Sequence, residues 1–173
     1  MKSKPQALNT QHLQLGPIRE CDADDMIRIF LNEEVCKTYM LPQFQSQEKA
    51  SKLFHRLWEL SQDPDRVIYG IYQRDRLIGF LNDVNTDGDT IEMGYVIHPD
   101  HKNNGYATEA FSAVIQALFS MGYTAVKAGA FQENTASIRV MEKCGMMRTH
   151  LEEDIDYRGQ CHHCIYYAIT GKP

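Results

Sequence analysis

The chain has 173 residues, 43% of them hydrophobic and 24% charged, with a formal net charge of -5. That is the composition of one soluble globular domain, and the acidic balance gives no electrostatic footing for nucleic acid. No apolar run is long enough to cross a bilayer, and the start, MKSKPQALNTQH, lacks the apolar core of a signal peptide, so a single domain over 1–173 in the cytoplasm is expected, with 1–11 as a flexible leading segment.

The first strand signal runs from Leu13 to Glu20, bent by Gly16-Pro17. Asp22 is placed to cap a helix over Ala23 to Asn32, and Ser46 to cap a second helix on which Ala50, Leu53, Phe54, Leu57 and Trp58 form one apolar stripe. RVIYGIYQ from Arg66 and LIGFLNDV from Leu77 flank the turn Arg74-Asp75-Arg76 and predict a hairpin; Asn85 to Asp89 predicts another turn before a strand over Thr90 to Ile97. A helix follows from Gly105 or Tyr106 to about Met121, closed by Gly122. Tyr123 to Ala130 then reads as a strand, Asn134 to Cys144 as a helix closed by Gly145, and Met146 to Asp154 with Cys161 to Thr170 as a final strand pair. The order predicts an α/β (α+β) architecture: a mixed central sheet of about seven strands flanked by about four helices, with the helix after Gly105 as a right-handed crossover.

The five cysteines, Cys21, Cys36, Cys144, Cys161 and Cys164, are an odd set and read as reduced thiols. Cys161-His162-His163-Cys164 lies on a strand, so its side chains alternate between faces and four ligands cannot converge; no metal site is expected.

The densest information lies between Ile91 and Arg148. An apolar strand enters the turn Lys102-Asn103-Asn104-Gly105-Tyr106-Ala107, which opens straight into a helix. Free amides at the positive end of a helix hold phosphates well, and the small residues Gly105 and Ala107 allow close approach. A diphosphate-bearing ligand is therefore expected. A dinucleotide fold is a poorer match because GxGxxG is absent, and Gly-Lys-Ser/Thr, the mark of a P-loop, is absent too.

Three segments resemble the GNAT superfamily of acyl-CoA-dependent N-acyltransferases, in its RimJ/RimL-like branch: EMGYVIHPDHKNNGYATEA, ENTASIRVMEKCGM and the last strand, IYYAIT. The resemblance covers nearly everything after Leu13. Lys102 stands where the family turn has Gln or Arg, keeping a charge without Arg's bidentate fork, and Asn103 stands where the branch often has Gly.

The resemblance implies transfer of an acetyl group from acetyl-CoA, as co-substrate and without a metal, to a primary amine on a protein N-terminus or a small molecule. It assigns the cofactor to backbone groups of Tyr95, Val96 and Ile97, to the turn Lys102, Asn103, Asn104, Gly105, Tyr106 and Ala107, and to Thr108, Asn134 and Ser137. Catalytic roles fall to Glu92 as base, to Asn134, and to Ser137 as proton donor, because Met141 occupies the position where many relatives carry a tyrosine. Asp83 and His98 compete with Glu92 for the role of base. Arg139 and Lys143 are candidates for the adenosine phosphate, and Tyr157, Tyr166 and Tyr167 for the acceptor cleft. Either a monomer or a homodimer is compatible. A second reading, an acyl-CoA-binding regulatory module without transfer activity, also stands.

Overall fold

A computed structural model describes residues 3–44 and 46–171. Eight strands form one sheet in the order β1-β2-β3-β4-β5-β6-β8-β7. The strands are β1 (Leu8–Asn9), β2 (Gln14–Gly16), β3 (Ile68–Gln73), β4 (Arg76–Asp87), β5 (Thr90–Ile97), β6 (Ala125–Phe131), β7 (Met147–Tyr157) and β8 (Gln160–Thr170). The helices are α1 (Ala23–Phe30), α2 (Glu33–Thr38), α3 (Gln47–Gln62), α4 (Tyr106–Met121) and α5 (Thr135–Lys143). The mixed α/β sheet is as expected, with one strand and one helix more than anticipated.

The two additions have local causes. β1 is two residues long, too short to show a period, and pairs with β2 through Leu8 opposite Leu15. The segment expected to be loose is instead tied down over its described part. Lys4 donates to the Ser61 carbonyl at 2.9 Å, the Tyr69 hydroxyl donates to the Pro5 carbonyl at 2.7 Å, and Thr10 bonds Glu109 at 2.6 Å. The extra helix, α2, starts where the first predicted helix was to end. Asn32 leaves α1 and caps α2, its side chain accepting from the Glu34 and Val35 amides.

Several boundaries shift for similar reasons. β2 stops at Gly16 because Pro17 brings no amide to the ladder, and Ile18 turns instead to Ser61 and Gln62 at the end of α3. Asp22 stands at the N-cap of α1, but its carboxylate reaches back to the Arg19 amide at 2.7 Å and accepts from the Tyr72 hydroxyl at 2.7 Å. Ser46 makes no side-chain cap. β4 continues through the predicted turn to Asp87, paired with Thr90, and only Gly88-Asp89 turn. Val84 is the odd residue of a bulge, since Asp83 faces Met93 and Asn85 faces Glu92.

The helices cover both faces. α4 buries Ala110, Phe111, Val114, Ile115, Leu118 and Met121 against Ile91, Met93, Val126, Ala128, Ile165 and Tyr167. α1 and α3 close the other face over Phe80 and Val96 through Met26, Ile29, Phe30, Ala50 and Phe54. Each large side chain removed from water here contributes about 1.5–3 kcal/mol. Residues alternate along β5, so Ile91, Met93 and Tyr95 face α4 while Glu92, Gly94 and Val96 face the α1–α3 side.

Every ladder is antiparallel except that between β5 and β6, which α4 joins as a crossover. Those two strands pair only over Thr90–Glu92 against Ala125–Lys127. Past that rung β6 continues on β8 as far as Phe131 opposite Cys164, whereas β5 continues on β4 as far as Ile97 opposite Gly79. The sheet thus opens into a wedge toward the carboxyl ends of the two parallel strands, the place where ligands enter sheets of this kind.

Candidate active site

At the wide end of the wedge lies the turn before α4. Asn103 (φ 61°) and Gly105 (φ 76°) both take left-handed backbone angles. Asn tolerates this conformation better than most residues, and Gly without strain. Space beside Gly105 is open, with nothing near the position a Cβ would occupy. The Asn104 side chain braces the turn by donating to the Lys102 carbonyl at 2.9 Å and the His101 carbonyl at 3.2 Å. The helix begins its own ladder with the Glu109 amide donating to Gly105 at 2.9 Å. The amides of Tyr106, Ala107 and Thr108, one turn earlier, have no acceptor within the helix and sit at the positive end of sixteen aligned peptide dipoles. They suit an anionic group, and the open backbone beside them suits one that approaches closely.

The Lys102 side chain does not lie over the turn. Its ammonium pairs with Glu34 on α2 and holds that carboxyl below the usual range. Next to it, Arg28 of α1 bonds the ring of His98 at 3.1 Å and the Asp100 carboxylate at 2.9 Å. Burial, then the Arg28 charge, pushes the His98 pKa down, so the imidazole is neutral near pH 7 and serves as a spacer between α1 and the turn.

On the same side, α5 begins at the wedge wall. Asn134 caps it by accepting from the Ser137 amide at 3.2 Å. The Tyr95 hydroxyl sits 2.7 Å from the Ser137 hydroxyl and 3.0 Å from its carbonyl, while the Tyr95 ring packs on Phe111 at 4.7 Å between centroids. Tyr95 therefore bridges the two halves that the splay separates. Burial raises its pKa far above the ordinary phenol range, and it keeps its proton. Sequence reasoning valued Tyr95 for its backbone alone; its spacing from Ser137 carries no signal of this contact. Met141 is fully buried in the core, and Arg139 and Lys143 lie exposed on α5.

Across the wedge, on the α1–α3 side, the last shared rung carries an ion pair: Lys127 Nζ lies 3.1 Å from Glu92 Oε2, both side chains mostly shielded. Two tyrosines flank it. A Cβ on Gly94 would meet the Tyr39 hydroxyl and Asn82 Oδ1 at 3.3 Å, and Tyr39 bonds Asn82. A Cβ on Gly129 would meet the Tyr166 ring at 2.7 Å, so only glycine fits there. Tyr166 bonds Glu153, and the Lys127 ammonium stands 5.4 Å from its ring centre. The exposed side chain of Val84 belongs to this face, beside Gly94.

The other two candidate bases stand in different surroundings. Asp83 shares its rung with Met93, facing away from Glu92, and is tied to Arg66 at 2.7 Å. His98 lies past the end of β5 under Arg28. Tyr157 and Tyr166 both lie on the α1–α3 side with Phe131 and Gly129, and the Tyr157 hydroxyl also joins β7 to the far half: it lies 2.8 Å from the Cys36 carbonyl and accepts from the Leu41 amide at 3.2 Å. Tyr167 turns to the opposite face, packs in the α4-side core and bonds Glu142 at 3.3 Å, away from Tyr157 and Tyr166. In the Cys-His-His-Cys run, His162 stacks on Phe131 and pairs with Glu133, while His163 pairs with Asp154 at 2.8 Å. Among the described residues no cluster of three or more potential ligands could hold a metal ion, and no helix is long and apolar enough to cross a membrane.

Residues 12–147 match the model of the acetyltransferase (GNAT) domain. YoaA of Bacillus subtilis (strain 168), named an uncharacterized N-acetyltransferase, is 33% identical over 146 residues, which cover 82% of either chain. Among solved structures, RimL, the ribosomal L7/L12 alpha-N-protein acetyltransferase in complex with coenzyme A, superposes with a TM-score of 0.82 at 18% identity over 98% of both chains. The microcin C7 self-immunity acetyltransferase MccE, in complex with acetyl-CoA and AMP, gives 0.83 at 16% identity over 96% of this chain and 97% of its own. At those identities the likeness is one of fold. With a domain match over most of its length and a close relative named for the same chemistry, the chain belongs to the GNAT family and is an N-acetyltransferase.

Proposed function

We propose that this protein moves the acetyl group of acetyl-CoA directly to a primary amine, on a protein N-terminus or a small molecule, in the manner of the RimJ/RimL-like branch. The single observation that carries the reading is the wedge between β5 and β6, with free helix amides on one side and a shielded carboxylate on the other.

The turn Lys102–Ala107 and Thr108 receive the diphosphate on backbone amides. The edge of β5 over Tyr95–Ile97 lacks a strand partner on the wedge side and takes the pantetheine arm as an added strand. The Val96 amide polarises the thioester oxygen, and Asn134 fixes the start of α5 beside the arm. Glu92 removes the proton of the attacking amine, directly or through water. Ser137 returns a proton to the departing thiolate, with Tyr95 orienting its hydroxyl.

The test is a thiol-release assay with acetyl-CoA and a panel of amines and N-terminal peptides, run beside calorimetric titration of coenzyme A. Release that depends on the amine supports the reading. Tight cofactor binding with no release for any acceptor points to a binding module, and no heat of association at millimolar cofactor overturns the assignment of the wedge.

A further inference from the structure

The last rung shared by β5 and β6 places an amine at the throat of the wedge: Lys127 lies beside Glu92 at 3.1 Å, with its ammonium 5.4 Å from the centre of the Tyr166 ring. Lysine in that position is a nucleophile next to the group read above as the base. Gly94 stands two residues on along the same face, about 6–7 Å away by strand geometry, and adds no side chain of its own there, so the space above it is bounded by Tyr39, Asn82 and Val84. The flexible lysine stem can cover such a step once the ion pair opens.

We infer that Lys127 is itself an acetyl acceptor, so that the protein modifies its own throat when no outside amine fills the cleft. This rests on the wedge being the acetyl-CoA site. Chemically, the Lys127 ammonium gives one proton to Glu92 and the free amine attacks the thioester carbonyl. The C–N bond forms, the C–S bond breaks, and the second nitrogen proton passes to the thiolate. The products are Nε-acetyl-Lys127 and coenzyme A, with the proton on Glu92 released to water. The neutral amide cannot pair with Glu92, so acetylation leaves that carboxylate without its cation.

The experiment incubates the intact protein with acetyl-CoA and no amine, then reads whole-protein mass and maps acetylated peptides over time. Exposed Lys52, which pairs with Glu48, reports spontaneous surface acetylation. Expected is one acetyl group on Lys127, accumulating faster than on Lys52, slowed by roughly 100-fold in Glu92→Gln, and missing in Lys127→Arg, which keeps the charge that supports the fold. Labelling of Lys127 no faster than of Lys52, in protein that binds coenzyme A and acetylates an added amine, overturns the inference and leaves the transferase reading intact. Failure to bind coenzyme A removes both.

Discussion

Around the splay of β5 and β6, the α4 side of the sheet is built mainly from backbone, and the α1–α3 side from side chains drawn from distant parts of the chain. The first side needs a tight turn with left-handed angles and the free end of a helix, all within Lys102–Thr108. The second assembles Tyr39, Asn82, Glu92, Lys127, Glu153, Tyr157 and Tyr166 from the residue after α2 and from β4, β5, β6, β7 and β8. A backbone site can bind one invariant ligand group while its side chains vary. A side-chain site depends on the register of every strand, and in the proposed function it is the side that selects the acceptor.

The comparison is broken most severely at Glu92. In Glu92→Gln, kcat should fall by about 100-fold or more, while the dissociation constant for coenzyme A stays within about twofold, because a general base acts only on the chemical step. Steady-state kinetics with calorimetry check this, and unchanged turnover would remove Glu92 from the mechanism. Next is Gly105→Val. A β-branched residue at φ 76° stores roughly 1–3 kcal/mol of strain, so coenzyme A binding should weaken by about tenfold while the KM for the amine holds. An equal loss on both substrates would mean the two sides are not separable.

Tyr157→Phe tests the acceptor side at a smaller scale. It removes the hydroxyl that joins β7 to the α2 region and leaves the Cys36 carbonyl without that donor, at a cost of about 1–3 kcal/mol. Chemical denaturation should show the loss, with a raised acceptor KM and unchanged coenzyme A affinity. The smallest effect belongs to His98. Its folded pKa lies below its ordinary value of 6.5, so the stability it lends is whole above that value and drains away as pH falls toward the folded one. His98→Asn should flatten the decline of stability below pH 6.5 by at most about 1.4 kcal/mol per pH unit, read from denaturation midpoints across pH. A decline of unchanged steepness would place the acid sensitivity elsewhere.

Legibility in the sequence follows the same division. The hairpin strands, α4 and α5 could be read because their periods are long and their ends carry glycines that take positive φ, as at Gly122 and Gly145. β1 and α2 escaped because one is two residues long and the other is capped by Asn32, the residue at which the preceding helix was expected to end. Along the chain Asp83 and Glu92 are equal candidates for the base, and only the register of β4 on β5, with its bulge at Val84, sets the two on opposite faces. Lys102 was read toward the diphosphate, and only the packing of α2 beside the turn brings Glu34 to it.

Sequence by itself determined what depends on neighbours along the chain: the fold class, the crossover helix with its free amides, and the family they mark. Tertiary structure alone decided what depends on register and on elements far apart in the chain. Lys127 meets Glu92 because two strands, 35 positions apart, share a final rung; Tyr95 meets Ser137 because the sheet has splayed past that rung, three residues before Tyr95. Periodicity fixes the face on which a residue stands, but a one-residue bulge or the end of a ladder fixes which residue stands opposite, and no local pattern in the chain encodes that.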